Sequence, residues 1–274
     1  MNNVVAKQLD NRFKTDGDGT ANANDVRELR KQVDEIISTV PAVDLHTHLF
    51  APQFGNLSLS GIDELLNYHY LIAELFRYSR TTPAEFWRME KRNQADLIWK
   101  TLFVENTPLS EATRGVVSVL SALGLDSRAS DLTEARDFFA SHEPDSYLEK
   151  VLRISKVSDI VMTNDPLDDA EAKVWNGCEK SDPRFHAALR LDRILNNWLE
   201  SVPLIRQQDY EVAENIDGRS ISEIRRFLDY WIEKMKPLYM GVSLPDNFTY
   251  PEESERGKLI REAVLPSCRA HGIS

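Results

Sequence analysis

The chain has 274 residues, with 44 acidic against 33 basic side chains and a formal net charge of −11. That balance argues against binding nucleic acid or an anionic membrane through a broad basic face, and no run approaches the ~18 consecutive apolar residues that a membrane span needs. A composition 42 % hydrophobic and 28 % charged is that of an ordinary globular protein long enough to bury a sizeable core.

Residues 1–25 are polar, rich in Asn, Asp and Gly, and contain no apolar stretch of the kind a secretory signal needs. They read as a mobile tail, and the chain as cytoplasmic. Cys178 and Cys268 match no zinc or redox spacing and read as free thiols in a reducing compartment. Val26, Leu29, Val33, Ile36 and Ile37 recur at helical spacing and lead through Pro41 into an alternating run, Val43-Asp44-Leu45-His46-Thr47-His48-Leu49. In a strand, side chains two apart share a face, so Asp44, His46 and His48 would line one side. Two neutral imidazoles side by side are half of a divalent-metal site, zinc being the first choice.

About a hundred residues of helical signals follow. Ser60-x-x-Asp63 predicts the start of one helix, with Ile62, Leu65, Leu66, His69, Ala73 and Phe76 along one stripe. Thr82-Pro83-Ala84-Glu85 is a capping box that opens a second, and Thr107-Pro108 with Ser110 introduces a third, closed by Gly124. Residues 131–156 hold a fourth and have room for a fifth. Strands are then predicted at 157–163, ending in Asn164-Asp165-Pro166, at 185–191, ending in Arg190 and Asp192, and at 238–244. Between the last two lies a helix opened by Ser220-x-x-Glu223; a charged helical run at 252–271, bent or broken at Pro266, closes the chain.

Strands separated by helical stretches imply βα units and a parallel sheet, in which ligands gather at the carboxyl ends of the strands. The polar residues of this chain cluster at those ends. The stretch 55–156 is too long for a single crossover and reads as a helical insertion after strand one, between barrel segments 26–54 and 157–274.

The His46-x-His48 run resembles the first barrel strand of the amidohydrolase superfamily. Thr163-Asn164-Asp165-Pro166, then Arg190-Leu191-Asp192, is similar to the Thr-x-Asp-Pro turn and Arg-Pro-Asp motif of uronate (glucuronate) isomerases, with Leu191 in place of the proline. His69-Tyr70 resembles the His-Tyr pair of that family's helical insertion, although the residues after it, Leu71 to Glu74, depart from the family's pattern. The resemblance implies an α/β fold, a partial TIM-type (β/α)8 barrel of about four strands. It implies aldose–ketose isomerisation of a uronate sugar, with His46 and His48 as ligands of a divalent metal. It also implies that Arg190, Asp165, His69 and Tyr70 meet the substrate. Because about four of eight strands are present and the chain stops at Ser274, the remaining metal ligands and the acid/base group are expected outside it.

Each residue also has a plainer reading. Arg190 could pair with Asp192 or Asp165 instead of a substrate carboxylate, Asp165 could serve the turn, and His69 could be a satisfied core histidine. Asp44 could orient an imidazole or be satisfied by backbone. Two other functions remain open: a metal-dependent hydrolase of esters, lactones or amides on the same scaffold, and a non-catalytic fragment. An uncovered sheet edge further predicts that the isolated chain self-associates, giving homo-oligomers or aggregates.

Overall fold

A computed structural model describes residues 23–47, 49–57, 61–177 and 182–274. The chain divides into two compact units, Met1–Ala42 and Val43–Ser274. The first contributes one described helix, α1 (Ala23–Thr39), three residues longer at its start than its apolar spacing predicts. The tail expected over 1–25 thus ends in helix at Ala23, and residues 1–22 lie outside the described part.

The second unit is built on β1 (Ala42–Thr47), β2 (Val157–Asn164), β3 (Phe185–Arg190) and β4 (Tyr239–Gly241), in the spatial order β1-β2-β3-β4. They run parallel as a half-barrel with helices around it. β2 and β3 are aligned from Ile160 opposite Phe185 to Asn164 opposite Leu189, and β3 and β4 from Ala188 opposite Tyr239 to Arg190 opposite Gly241. Alternation then assigns the two faces. Ile160, Met162 and Phe185 are buried with Leu148 and Leu152 of α8 (Pro144–Ser155). After α9 (Asp169–Gly177), α10 (Asp192–Asn196) and α11 (Trp198–Gln207) comes α12 (Gly218–Met235), whose Phe227, Leu228 and Trp231 are buried with Ala187 and Leu189. Val161, Thr163 and Asp165, with His186, Ala188 and Arg190, are therefore on the concave face.

Between β1 and β2 every described element is helical: a 3₁₀ turn (Pro52–Leu57), α2 (Ile62–Leu66), α3 (His69–Tyr78), α4 (Pro83–Phe86), α5 (Lys91–Trp99), a π turn (Lys100–Val104), α6 (Glu111–Leu123), α7 (Thr133–Ala140) and α8. This stretch has its own core of Ile62, Leu66, Leu75, Phe86, Ile98, Trp99, Leu102 and Leu120. Its local signals work as the residues dictate. Gly124 takes the left-handed conformation that closes α6. The Thr82 hydroxyl accepts from the Glu85 amide at 3.3 Å while Glu85 Oε2 accepts from the Thr82 amide at 2.8 Å. Thr82→Ala removes one half of that reciprocal cap and is expected to cost about 1 kcal/mol in urea-monitored stability; no change would mean that the short α4 is held by Phe86 alone.

Four expectations are corrected. The single helix from residue 60 is two. Asn67 ends α2 by donating from Nδ2 to the carbonyls of Asp63 (2.8 Å) and Lys91 (3.0 Å), and α3 restarts at His69. The restart changes the buried stripe to Leu71, Ile72 and Leu75 and leaves His69 exposed, so it is not a core histidine. Asp217, not Ser220, caps α12, its carboxylate accepting from the Ser220 amide at 2.7 Å. β4 is three residues long because the next backbone groups turn to side chains: the Ser243 amide donates to Asp192 at 2.9 Å and its carbonyl accepts from Asn196 at 2.8 Å. The closing helix is interrupted before its proline, by a π turn (Ile260–Val264) between α13 (Glu255–Leu259) and α14 (Leu265–His271). Pro266 sits in the first turn of α14, where its missing N–H is not needed.

Candidate active site at the carboxyl ends of the strands

Strand register puts three residues in one layer of the concave face. Asp165 follows Asn164, which is opposite Leu189, so it stands level with Arg190; Arg190 is opposite Gly241. Gly241 faces the same side, since a Cβ placed on it would lie 3.9 Å from Arg190 Cδ. One layer below, Tyr239 extends from β4 across to β1, where its hydroxyl donates to the Leu45 carbonyl at 2.8 Å. β1 and β4 are the outer strands of the sheet, so this side chain bridges the concave face just before His46.

Both plainer readings of the charged residues hold in part. Arg190 Nε donates to Asp192 Oδ2 at 2.6 Å, and Nη2 reaches the Ser243 hydroxyl at 3.5 Å. That bond keeps the guanidinium firmly protonated. Burial would raise Asp192, but the bonds from Arg190 and the Ser243 amide outweigh it and hold the carboxyl below its usual range. With Nε on Asp192, only the long 3.5 Å contact to Ser243 involves the Nη atoms among these bonds. Asp165 pairs with Arg193, not Arg190, at 2.9 Å, and its Oδ1 accepts from the Leu167 amide at 2.9 Å, the turn chemistry of Asn-Asp-Pro. Burial nevertheless pushes the Asp165 carboxyl up, with Asp168 and Asp192 adding to the effect.

Behind this layer lies a residue that the sequence did not single out. Glu171, in α9 (Asp169–Gly177), is 8 % exposed. Its Oε2 accepts from Asn164 Nδ2 at 2.9 Å and from the Asp165 amide at 3.1 Å, so it fixes the corner that carries Asp165. Burial pushes its carboxyl up to about 7. Its signal is camouflaged: Asp168-x-x-Glu171 has the spacing of a helix-start box, and Asp168 does accept from the Glu171 amide at 3.0 Å.

The remaining candidates are placed as follows. His46 is exposed near the end of β1, with its amide donating to Asp44 Oδ1 at 3.1 Å, so Asp44 is engaged by backbone. His48 lies outside the described residues, and the metal pairing with it. Two imidazoles are donors suited to a zinc-like ion and would fill two of its four places; among the described residues no group of three or more His, Cys, Asp or Glu could hold a metal ion. His69 and Tyr70 stand at the start of α3 in the insertion, their rings 4.2 Å apart, with Tyr68 against both. Tyr70 is 62 % exposed. Among the described residues no helix is long and apolar enough to cross a membrane.

A parallel half-barrel with a charged layer at the carboxyl ends of its strands is the architecture on which barrel enzymes place their sites. No family model matches the chain, and no curated protein matches it. Among solved structures the chain is a relative of the uronate isomerase of Bacillus halodurans C-125: 46 % identity, a TM-score of 0.85, and coverage of 93 % of this chain but 60 % of that one. The glucuronate isomerase of Caulobacter crescentus (13 % identity, TM-score 0.59) and the uronate isomerase of Thermotoga maritima (18 %, 0.52) share the fold. They are covered over 60 % and 51 % of their length, by 96 % and 81 % of this chain. The resemblance read from the Asp-Pro and Arg-x-Asp segments therefore holds across nearly the whole chain, which spans about three fifths of the relative's length.

Proposed function

We propose that this chain is the substrate-positioning part of a uronate isomerase, acting in aldose–ketose conversion of a uronate such as D-glucuronate. The observation that carries this reading is the 46 % identity, held over 93 % of the chain, to a protein named as a uronate isomerase. The strand-end chemistry supports it. In the reaction a hydrogen moves from C2 to C1 and a proton from the C2 hydroxyl to the C1 oxygen, so the C1 aldehyde becomes an alcohol and C2 a ketone. Arg190 takes the carboxylate at the far end of the sugar through its Nη edge, and binding energy spent there orients C1 and C2. Asp165, raised by burial and held by Arg193, offers an oxygen to a sugar hydroxyl, while Glu171 holds its corner in place. His69 and Tyr70 add polar and aromatic contacts from the insertion. His46 and His48 would hold a divalent ion, zinc first, which when bound supplies Lewis-acid polarisation of the C1 and C2 oxygens.

Titration of the chain, supplied with zinc, with uronates, sugar lactones and amides tests this reading. Saturable binding of a uronate, followed by NMR, is the expected result, without ketose formation, because the acid/base group is expected outside the chain. Binding of a lactone or amide with uronates unbound would replace it by the metal-dependent hydrolase.

A further inference from the structure

We propose that Gly241 and Tyr239 set which acids the cleft accepts: the Tyr239 ring is its floor, and the missing side chain at 241 leaves room for a six-carbon polyhydroxy acid to lie on that floor with its carboxylate at Arg190. The inference rests on the uronate reading above and adds to it the two residues that measure substrate length. Glycine is a poor strand residue, since it loses the most freedom on ordering and offers nothing to pack. A left-handed backbone or crowding of the Cβ would explain it, and neither is present. Gly241 is not among the residues with positive φ, so an L side chain meets no backbone strain there. A Cβ would lie 3.6 Å from Tyr239 Cε2 and 3.9 Å from both Tyr239 Cδ2 and Arg190 Cδ, all ordinary van der Waals distances. The space that glycine leaves is therefore bounded by an aromatic ring and a guanidinium stem, in the layer where Arg190 and Asp165 stand level.

The floor is itself fixed. The Tyr239 hydroxyl is tied to the Leu45 carbonyl at 2.8 Å, so the ring cannot swing into the space above it. A flat apolar surface beside a cation fits a chain of C–H groups ending in a carboxylate. A short hydroxy acid would reach Arg190 without covering the ring. A six-carbon acid has to cross it, beside position 241.

Gly241→Ala and Gly241→Val, made in the full chain, separate these cases by NMR titration with D-glucuronate and with glycolate, which is long enough only for Arg190. The expected result is that both variants melt at or above the temperature of the parent. D-glucuronate affinity falls at least threefold for alanine and at least tenfold for valine, with glycolate unchanged. Equal D-glucuronate affinity in parent and variants would overturn the inference and leave the uronate reading standing. Equal losses for both acids would overturn it too, by showing that position 241 acts on Arg190 alone. A lowered melting temperature already in the alanine variant would assign the glycine to folding and overturn it likewise. A folded parent that binds glycolate but not D-glucuronate would instead sink the uronate reading, and this inference with it.

Discussion

Arg190→Gln is expected to weaken D-glucuronate binding roughly 30- to 1000-fold, about 2–4 kcal/mol, while leaving the affinity for D-glucose, which has no carboxylate, unchanged. The size follows from what is lost. A guanidinium presents two parallel N–H donors and a full charge to a carboxylate, in a cleft mouth where water screens less than in bulk. Glutamine keeps one neutral donor and no charge. Arg190→Lys separates the two contributions, because lysine restores the charge without the planar fork, and an affinity between those of parent and glutamine variant is expected. The substitution also removes the 2.6 Å partner of Asp192, whose carboxyl should rise toward its ordinary range while the Ser243 amide still donates to it. Isothermal titration with the two sugars measures the first effect, and carboxyl NMR the second. Unchanged D-glucuronate affinity in the glutamine variant would mean that Arg190 is only the ion-pair partner of Asp192, and that the carboxylate, if bound, is held elsewhere.

The division between what the residues announce and what they conceal follows the range of the interactions. Element type and order are set within a few residues, through apolar spacing, caps and proline, and so the four strands, the helical insertion, the Thr82 cap and the Gly124 stop were readable. The placing of Asn164, Asp165, Arg190 and Asp192 at strand ends was readable for the same reason. Which of these face each other was not, because that depends on register, which no single strand records. Asp165 and Asp192 were both open as partners of Arg190; Asp192 takes it, and Asp165 pairs with Arg193 in the helix that follows β3. The break between α2 and α3 was hidden because Asn67 is held by the carbonyl of Lys91, 24 residues away. His69 was misplaced as a consequence, since its burial was inferred from an unbroken helical stripe. The interruption of the last helix was assigned to Pro266, but Leu259, Ala263 and Val264 are buried across the π turn, so tertiary packing decides the position. Glu171 was missed because a carboxylate three residues after an aspartate at a helix start has a local explanation. Only the fold reveals the second one.

That second role makes Glu171 the source of a pH dependence whose sign is fixed by burial. Its carboxyl titrates near its ordinary value of 4.5 when unfolded and at about 7 when folded, so between these values the folded chain binds the extra proton. The stability contributed by the protonated group is complete below about pH 4.5 and is lost as pH rises through 7. The difference corresponds to about 3 kcal/mol, since each tenfold change in proton affinity is worth about 1.4 kcal/mol. Glu171→Gln removes this dependence, because glutamine is neutral throughout and its carbonyl oxygen can still accept from Asn164 and from the Asp165 amide. The variant should therefore match the parent near pH 4.5 and exceed it by up to about 3 kcal/mol at pH 8. Urea unfolding of both proteins across pH 4–8 measures it, and the difference between the curves isolates Glu171 from the carboxylates they share. Parallel curves would show that Glu171 is ionised throughout, its charge fully met by its two donors. The same substitution reports on the site. If the ionised carboxylate grips the Asp165 corner more firmly than a neutral amide does, the stabler variant should bind D-glucuronate more weakly at pH 8 and equally well at pH 5.5. The chain would then carry a buried charge at a cost in stability because the strand end beside Arg190 needs it.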